Sequence, residues 1–459
     1  MNPVIETAAK AHAAGRRLAG LSAGERNRLL LTMAASIESH AEEILAANRR
    51  DMAAVQGLLD SGELTKAAAK RLELTTEKLA GIVEGVRQVA ALPDPLGRIE
   101  LARELDEGLI LRRITHPVGV IGVIFESRPD ALPQIVSLCL KSGNAALLKG
   151  GKEAEQTNAA MFAAILGAGV PTGAYALLAG REQVAQMLEA EGLIDLIIPR
   201  GSNELVRYIM DNTHIPVLGH AAGICHVYVD AEADPEKAFA ICIDSKIQYP
   251  AACNAAETIL VHEAARSLVP ELIRRLVAAG VEVRADPSLS DLARPASEAD
   301  FGCEFSDMIV ALKVVASLDD AIEHIGRYGS HHTESIVTEN PETAARFMRE
   351  VDSAGVFHNA STRFADGFRY GFGAEVGISN GKLHPRGPVG LEGLVTYRYH
   401  LEGKGHIVAT YSGPNARRFT HREASGDGGD GDDGSETGEA LGVRRAKLDR
   451  GQECPRHGT

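Results

Sequence analysis

One segment near the middle of the chain carries the strongest indication of fold and chemistry: Ser245-Lys-Ile-Gln-Tyr-Pro-Ala-Ala-Cys-Asn-Ala-Ala-Glu-Thr-Ile-Leu-Val-His262. It places a cysteine, Cys253, between a predicted helix (235–247) and a predicted strand (258–262). The small alanines around Cys253 leave room for a substrate carbon beside the sulfur, and the backbone N–H of Asn254 is a candidate donor to an oxyanion. The competing interpretation is a buried structural cysteine.

Composition excludes several classes of protein. A chain of 459 residues with 45% hydrophobic residues is expected to form two or three domains. The low aromatic content of 4% and the net charge of −14 argue against a nucleic-acid partner. Six cysteines without metal-ligand spacing indicate neither a zinc site nor a disulfide framework. The first 21 residues do not read as a secretory signal, no apolar stretch is long enough to span a membrane, and a cytoplasmic protein is expected.

The chain begins with helical patterns and then changes to an α/β pattern. Residues 22–25 form a capping box before an apolar helical stripe, and two charged alternating runs at 98–104 and 109–114 predict a β-hairpin. Predicted strands then alternate with predicted helices, which indicates parallel sheets covered on both faces. These strands are 118–125, 145–149, 175–178, 193–198 and 215–218, and, after Cys253, 258–262, 281–284, 308–315, 335–338 and 355–358.

The last part of the chain contains two further features. The runs 394–400 and 406–411 predict a second hairpin around 402–405. Residues 424–459 are acidic and rich in glycine, a composition that cannot bury enough apolar surface to fold, and they are predicted to be a disordered tail.

Two strand ends fit nucleotide binding. Lys149 ends a predicted strand and Lys152 follows it before a helix, where cations and a helix N-terminus can hold ribose and phosphate. Arg200, Gly201 and Ser202 occupy a similar position, with Ser202 or Asn203 as the candidate N-cap. Taken alone, each segment fits an ordinary α/β turn equally well.

Several segments together resemble the aldehyde dehydrogenase superfamily: 118–129, 147–154, 198–202, 219–223, 246–257 and 373–379. The cysteine segment and Phe-Glu-Ser-Arg-Pro at 125–129 are similar to one branch, the enzymes of proline biosynthesis that reduce L-glutamyl 5-phosphate. The resemblance extends from about residue 4 to about residue 411.

The resemblance implies an α/β fold of aldehyde dehydrogenase type, with two doubly wound α/β domains and a β-hairpin oligomerisation arm. The implied divisions are a coenzyme-binding domain (1–96 and 115–225), a catalytic domain (226–387) and oligomerisation segments (97–114 and 388–415). A homo-oligomer is expected, as is a transient contact with glutamate 5-kinase, which makes the labile acyl phosphate.

The implied reaction is the NADPH-dependent reduction of L-glutamyl 5-phosphate to L-glutamate 5-semialdehyde, with release of phosphate through a Cys253 thioester. One departure from the hydrolytic relatives supports it, because His220 stands where they carry the glutamate that activates the deacylating water. A histidine can itself act as a base, so a hydrolytic NAD-dependent semialdehyde dehydrogenase stays an alternative. An inactive scaffold on this fold is another.

The resemblance also assigns roles to single residues. Ser127 matches the family's asparagine that assists the oxyanion, together with the backbone N–H of Cys253. Lys152 replaces a glutamate that accepts the adenosine ribose hydroxyls, and a cation there favours NADP over NAD. Glu304 matches the glutamate that holds the nicotinamide ribose.

Two arginines and two histidines complete the set of candidates. Arg128, beside Ser127, and Arg363, in a glycine-bearing region, are candidates for binding the substrate. His331 and His332 are adjacent, and on an extended segment they would point to opposite sides, so they are predicted to lie in a turn or at the surface rather than to bind a metal.

Overall fold

The computed structural model describes residues 2–60, 66–126, 128–180, 182–219 and 222–424. Ser127, His220 and the predicted tail beyond Ala424 lie outside these ranges. Helices occupy the N-terminal part: α1 Pro3–Ala19, α2 Ala23–Ser39, α3 Ala41–Asp60, α4 Lys66–Leu72 and α5 Thr76–Ala91. The predicted capping box is confirmed at the start of α2, where Ser22 and Glu25 bond reciprocally. Among the described residues, no helix is long and apolar enough to cross a membrane.

The predicted arm hairpin is confirmed. Strands β1 (Ile99–Asp106) and β2 (Leu109–Pro117) pair antiparallel through a turn at Gly108, whose φ of +74° favours glycine.

A parallel sheet follows in the order β5-β4-β3-β6. It contains β3 (Val120–Phe125), β4 (Ala145–Lys149), β5 (Tyr175–Leu178) and β6 (Leu196–Arg200), with α6 (Ala131–Lys141), α7 (Glu155–Leu166), α8 (Glu182–Leu188) and α9 (Asn203–Asp211) between or after them. The strand order reverses between β3 and β6, and in open α/β sheets ligands bind at the carboxyl ends of the strands at such a point. The predicted strand at 215–218 contributes only an isolated bridge between Ile197 and Val217, so that prediction was wrong.

A second parallel sheet has the order β10-β9-β11-β8-β7-β12-β13. Its elements are β7 (Cys225–Val229), α10 (Pro235–Ile247), β8 (Ala256–His262), α11 (Val269–Ala278), β9 (Glu282–Ala285), β10 (Arg294–Pro295), β11 (Ile309–Val315), α12 (Leu318–Tyr328), β12 (Thr333–Val337), α13 (Pro341–Glu350) and β13 (Gly355–His358). Every residue of β7 and β12 is buried, as expected for strands covered on both faces. The predicted α/β architecture is therefore confirmed.

The C-terminal segments differ from the prediction. They form β14 (Gly377–Ser379), β15 (Gly387–Val389), β16 (Val395–Glu402) and β17 (Arg422–Glu423). Strand β16 pairs with β2 along its whole length, from Val395 opposite Pro117 to Glu402 opposite Ile110. The predicted second hairpin is therefore wrong: residues 408–411 form a 3₁₀ turn, and the distant strand β2 supplies the ladder that a local turn was expected to supply.

A buried ion pair joins the end of α10 to the start of β8. The Lys246 Nζ donates to a Glu257 carboxylate oxygen at 2.7 Å, and neither side chain is exposed to solvent. Burial raises the pKa of Glu257 to about 7, although Lys246 acts in the opposite direction. Residues 248–255, which include Cys253, form the loop between these two anchored ends.

Replacing Lys246 with methionine should strongly destabilise the protein, because it leaves the Glu257 carboxylate buried without a counter-charge. Removing one partner of a buried pair costs about 3–5 kcal/mol. Urea unfolding followed by circular dichroism measures the loss. Lys237→Met is the matched control on the same helix, since the Lys237–Glu339 pair is exposed and the unfolding midpoint should stay near that of wild type. Equal shifts for the two variants would contradict the prediction.

Candidate active site

Cys253 lies at the amino edge of the second sheet, in the loop that precedes β8. Gly223, just before the neighbouring strand β7, lets the backbone approach the cysteine closely, because a Cβ at Gly223 would lie 2.2 Å from the Cys253 carbonyl oxygen. The Cys253 side chain is half-buried, whereas Cys139, Cys225 and Cys242 are fully buried.

His332 lies in a bend, one of the two predicted settings, but it is buried against the sulfur and not at the surface. Its Nε2 is 3.2 Å from the Cys253 Sγ, and the ring is only 1% exposed. The prediction assumed an extended segment, but His331 has a φ of +59°, which breaks the alternation of sides. His331 itself is exposed and its Nδ1 lies 2.6 Å from the Asp352 carbonyl oxygen, as a surface turn residue would be placed.

The surroundings of Cys253 raise the pKa of its thiol. Burial raises the pKa of the Cys253 thiol to about 12, and the carboxylates of Glu304 and Glu375 add to this. The Arg363 guanidinium acts in the opposite direction, as does the cysteine's own backbone N–H. A nucleophile in this site therefore needs help to lose its proton.

Asn254 fixes the loop through its side chain. Its Nδ2 donates to the Ala365 carbonyl oxygen at 2.8 Å, and the side chain is 3% exposed. The side chain is thus engaged in the protein, and the predicted role of Asn254 rests on its backbone N–H. Ser127, the other predicted oxyanion donor, lies outside the described residues.

Arg363 lies in the same part of the site. It sits in a 3₁₀ turn at Thr362–Phe364, and its Nε donates to Gln248 Oε1 at 2.8 Å. Its guanidinium carbon lies 6.0 Å from the centre of the Tyr249 ring. Gln248 and Tyr249 belong to the loop that carries Cys253, so Arg363 is held beside the sulfur by the same loop.

A cavity of about 720 Å³ lies between α5, the start of α6 and the cysteine loop. Arg128 and Tyr249 form part of its wall, and Lys70, Arg71 and Lys78 add further positive charge. Its volume falls within the range of small-molecule sites.

The predicted coenzyme residues converge at the carboxyl edge of the first sheet. The residues that end β4 and β6, Lys149 and Arg200, lie on either side of the end of β3, where Arg200 is opposite Phe125. Lys152 begins a 3₁₀ turn just after β4, and its side chain is exposed. Of the two predicted N-cap candidates, Ser202 is the N-cap of α9 and accepts from the Leu205 N–H at 3.3 Å, while Asn203 is the first residue of the helix.

This edge already accommodates negatively charged oxygens. The backbone N–H of Ser202 donates to a carboxylate oxygen of Glu126 at 3.1 Å. A Cβ at Gly201 would lie 2.5 Å from that oxygen, and a Cβ at Gly151 would lie 2.0 Å from an oxygen of Glu153. Glycine at both positions therefore leaves space for an anionic oxygen close to the backbone, as a coenzyme phosphate requires.

One contact joins the edges of the two parallel sheets, and a second joins β6 to the segment before β14. Glu304, which lies before β11 of the second sheet, accepts a hydrogen bond from Asn203 Nδ2 at 2.8 Å. This bond connects the second sheet to the start of α9. Arg200 Nη1 lies 3.5 Å from the Glu375 carbonyl oxygen, and the Glu375 carboxylate accepts from the Gly367 N–H at 2.9 Å. The sequence assigned no role to Glu375, although its negative charge raises the pKa of the Cys253 thiol.

Comparison with known proteins identifies the class. The model of the aldehyde dehydrogenase family matches residues 2–292. A gamma-glutamyl phosphate reductase of a Synechococcus species is 56% identical over 431 residues, covering 92% of this chain and 94% of the relative. A Cyanothece enzyme of the same name is 55% identical, covering 92% and 98%.

A solved structure agrees with these relatives. The crystal structure of gamma-glutamyl phosphate reductase from Thermotoga maritima superposes with a TM-score of 0.84 at 38% identity, covering 88% of this chain and 99% of that one. The chain belongs to the gamma-glutamyl phosphate reductases, within the aldehyde dehydrogenase family. It is accordingly an oxidoreductase of proline biosynthesis that takes a nicotinamide coenzyme and a small-molecule substrate.

Replacing Gly223 with alanine should disable the site without unfolding the protein. The added Cβ would collide with the Cys253 backbone and displace the sulfur, and a misplacement of about 1 Å can lower a rate about 10²-fold. The measurement is kcat together with the melting temperature. Gly326→Ala is the control, because a Cβ at that position in α12 meets nothing within 4 Å. Wild-type activity in Gly223→Ala would show that the contact does not position Cys253.

Proposed function

We propose that the chain reduces L-glutamyl 5-phosphate to L-glutamate 5-semialdehyde with NADPH and releases phosphate, through a thioester on Cys253. The observation that carries the proposal is the half-buried thiol of Cys253, beside His332, where loops of both parallel sheets converge. The names of the relatives supply the substrate.

The proposed chemistry starts at the sulfur. The Cys253 thiolate attacks the acyl carbon, a carbon–sulfur bond forms, and the carbon–oxygen bond to phosphate breaks. The oxyanion would be held by the backbone N–H groups of Cys253 and Asn254 and by Ser127, and each such donor contributes about 3 kcal/mol. The side-chain hydrogen bond from Asn254 to Ala365 supports this role, because it keeps the loop backbone in one position.

The residues at the carboxyl edge of the first sheet fit a nicotinamide coenzyme. Lys149 and Arg200 would bind its phosphates and ribose, and Gly201 and Ser202 would present the N-terminus of α9 to the pyrophosphate. Lys152 would hold the 2′-phosphate, and its charge is the basis for proposing NADP rather than NAD. Glu304 would hold the nicotinamide ribose. When bound, the coenzyme supplies the hydride that reduces the thioester.

Two arginines would bind the substrate. Arg363 contacts the cysteine loop through Gln248 and would engage the phosphate or the α-carboxylate of the substrate. Arg128 forms part of the wall of the cavity between α5, the start of α6 and the cysteine loop. We propose that each parallel sheet belongs to one functional domain. The coenzyme-binding domain would comprise residues 1–96 and 115–225, and the catalytic domain would comprise residues 226–387. The transient contact with glutamate 5-kinase stays a prediction, supported only by the lability of the acyl phosphate.

We also propose a homo-oligomer built on the arm, with 97–114 and 388–415 as its contact segments. In the order β16-β2-β1-β17, strand β16 has an unpaired outer edge among the described residues. Tyr397, Tyr399 and Leu401 alternate along β16, lie on one face and are about half exposed. An apolar stripe beside an open edge is suited to pairing with a second copy of the chain.

The oligomer should dissociate when a charge enters this stripe. Tyr399→Lys is expected to lower the molar mass measured by light scattering to that of a smaller species. Met348→Lys places the same charge on an equally exposed side chain of α13 and should leave the mass unchanged. A wild-type protein that is monomeric at micromolar concentration would contradict the proposal.

The reaction class predicts a phosphate requirement. Because His220 replaces the glutamate base, the Cys253 thioester should hydrolyse slowly, and oxidation of glutamate 5-semialdehyde with NADP should depend on phosphate. His220→Glu should restore part of the phosphate-independent rate, since general-base assistance is worth about 10²–10⁴-fold. Cys253→Ser should abolish both activities. Rapid phosphate-free turnover by the wild type would favour the hydrolytic dehydrogenase instead.

Coenzyme preference should reverse when the charge at residue 152 reverses. Lys152→Glu installs a ribose acceptor and repels the 2′-phosphate, at a loss of about 1.5–3 kcal/mol in NADPH binding. Lys152→Gln is the matched control, which should weaken NADPH without improving NADH. The measured quantity is the ratio of kcat/KM for the two coenzymes, and an unchanged ratio would exclude Lys152 from reading the phosphate.

A further inference from the structure

We infer that His332 is the catalytic base of Cys253: its Nε2 takes the thiol proton before the sulfur attacks the acyl carbon. The inference deepens the proposed function and rests on it. Its basis is the 3.2 Å distance between His332 Nε2 and Cys253 Sγ, which is within reach for proton transfer between a nucleophile and its base.

A third group orients the imidazole. The Nδ1 of His332 lies 2.8 Å from Thr333 Oγ1, and both side chains are 1% exposed. When the Nδ1–H donates to Thr333, the lone pair of Nε2 faces the sulfur, which is the tautomer that a base requires. Cys253, His332 and Thr333 thus have the arrangement of nucleophile, base and orienting group.

The backbone that carries His332 is fixed from two sides. The His332 carbonyl accepts from the Gly355 N–H at 2.9 Å, at the start of β13. Two residues earlier, Ser330 Oγ accepts from the Ile224 N–H at 2.8 Å, just before β7. Both bonds connect His332 to the strand starts that surround Cys253, so the distance between imidazole and sulfur is set by the sheet.

The charges around the sulfur create the need for a base. Burial is the main cause of the raised pKa of the Cys253 thiol, and the negative charges of Glu304 and Glu375 raise it further, while Arg363 lowers it. The resting group is therefore a thiol. A neutral imidazole in contact with the sulfur removes the proton without adding another negative charge.

The proton balance closes with the reaction itself. The S–H bond breaks as the Nε2–H bond forms, and the thiolate then forms its bond to the acyl carbon. As the carbon–oxygen bond breaks, the proton on Nε2 passes to the leaving phosphate oxygen, and His332 is neutral again. The thiol proton thus leaves with phosphate. When the aldehyde leaves after hydride transfer, the sulfur is released as thiolate and takes one proton from solution, which is the proton that the overall reduction consumes.

The test compares two adjacent histidines. His332→Gln keeps a side chain of similar length but cannot accept a proton, and His331→Gln is the control at an exposed position. The first readout is the rate of Cys253 alkylation by iodoacetamide, measured at neutral pH without substrate or coenzyme. We expect His332→Gln to slow alkylation at least tenfold, to lower kcat about 10²–10⁴-fold and to change KM little. His331→Gln should match wild type in all three quantities.

A second variant tests the inference in case His332→Gln does not fold. Thr333→Val preserves shape but removes the group that orients the imidazole, and it should slow alkylation and turnover in the same direction by a smaller factor. Retention of wild-type alkylation and kcat in a folded His332→Gln protein, judged by its melting temperature, would overturn the inference. So would a loss confined to KM, because His332 would then act on substrate binding.

The alkylation result also separates this inference from the proposed function. Alkylation needs no substrate, so slow alkylation of His332→Gln supports the base even if L-glutamyl 5-phosphate is not reduced. Normal alkylation and kcat in that variant, together with phosphate-dependent turnover in wild type, would exclude His332 as the base. The proposed function would still stand.

Discussion

The position of Cys253, the proposed nucleophile, depends on a buried ion pair. Lys246 and Glu257 lie on the two sides of the Cys253 loop, at the end of α10 and the start of β8, and both are fully buried. Neither end of the loop can move away without leaving the other charge unpaired in the interior, which is unfavourable by several kcal/mol. The hydrogen bond from Asn254 to Ala365 restrains the middle of the loop in the same way. The sulfur is therefore held by the core, although it lies on a loop.

The geometry of parallel sheets then assembles the rest of the site. In the second sheet β8, β7 and β12 are neighbours, so the residues that precede them meet at one amino edge: Cys253, Gly223 and His332. In the first sheet the cationic residues end β4 and β6, so they meet at a carboxyl edge. The hydrogen bond from Asn203 to Glu304 joins these two edges. The fold thus brings a candidate coenzyme site of one sheet to the cysteine of the other.

Local signals in the sequence were sufficient for much of this architecture. The bounds of α10 and of β13 were predicted correctly, because proline, glycine and apolar runs mark both elements within a few residues. The second hairpin failed because its strand pairs with β2, nearly 300 residues away, and no local pattern reports such a partner. The contact between His332 and Cys253 likewise depends on strands that are distant in sequence. The neighbour of His332 adopts a left-handed conformation, and the contact arises only when β12 and β8 lie in one sheet. Even so, a histidine directly before a buried strand of the sheet that carries the proposed nucleophile was a usable signal.

The distribution of charge explains why a base would serve this site better than a permanent cation beside the sulfur. The proposed substrate and coenzyme both bring negative charge, and the cations Lys149, Lys152 and Arg200 lie where the coenzyme would neutralise them. Glu304 and Glu375 add negative charge near Cys253, so Arg363 is opposed there by two carboxylates. A low thiol pKa is hard to maintain in such surroundings, especially once the anionic ligands bind. Transfer of the proton from Cys253 to a neutral imidazole avoids that difficulty. The thiolate and the imidazolium that it creates are in contact, so their opposite charges stabilise each other. The use of a base also leaves the sulfur protonated between turnovers, when a thiolate would be the form most exposed to oxidation.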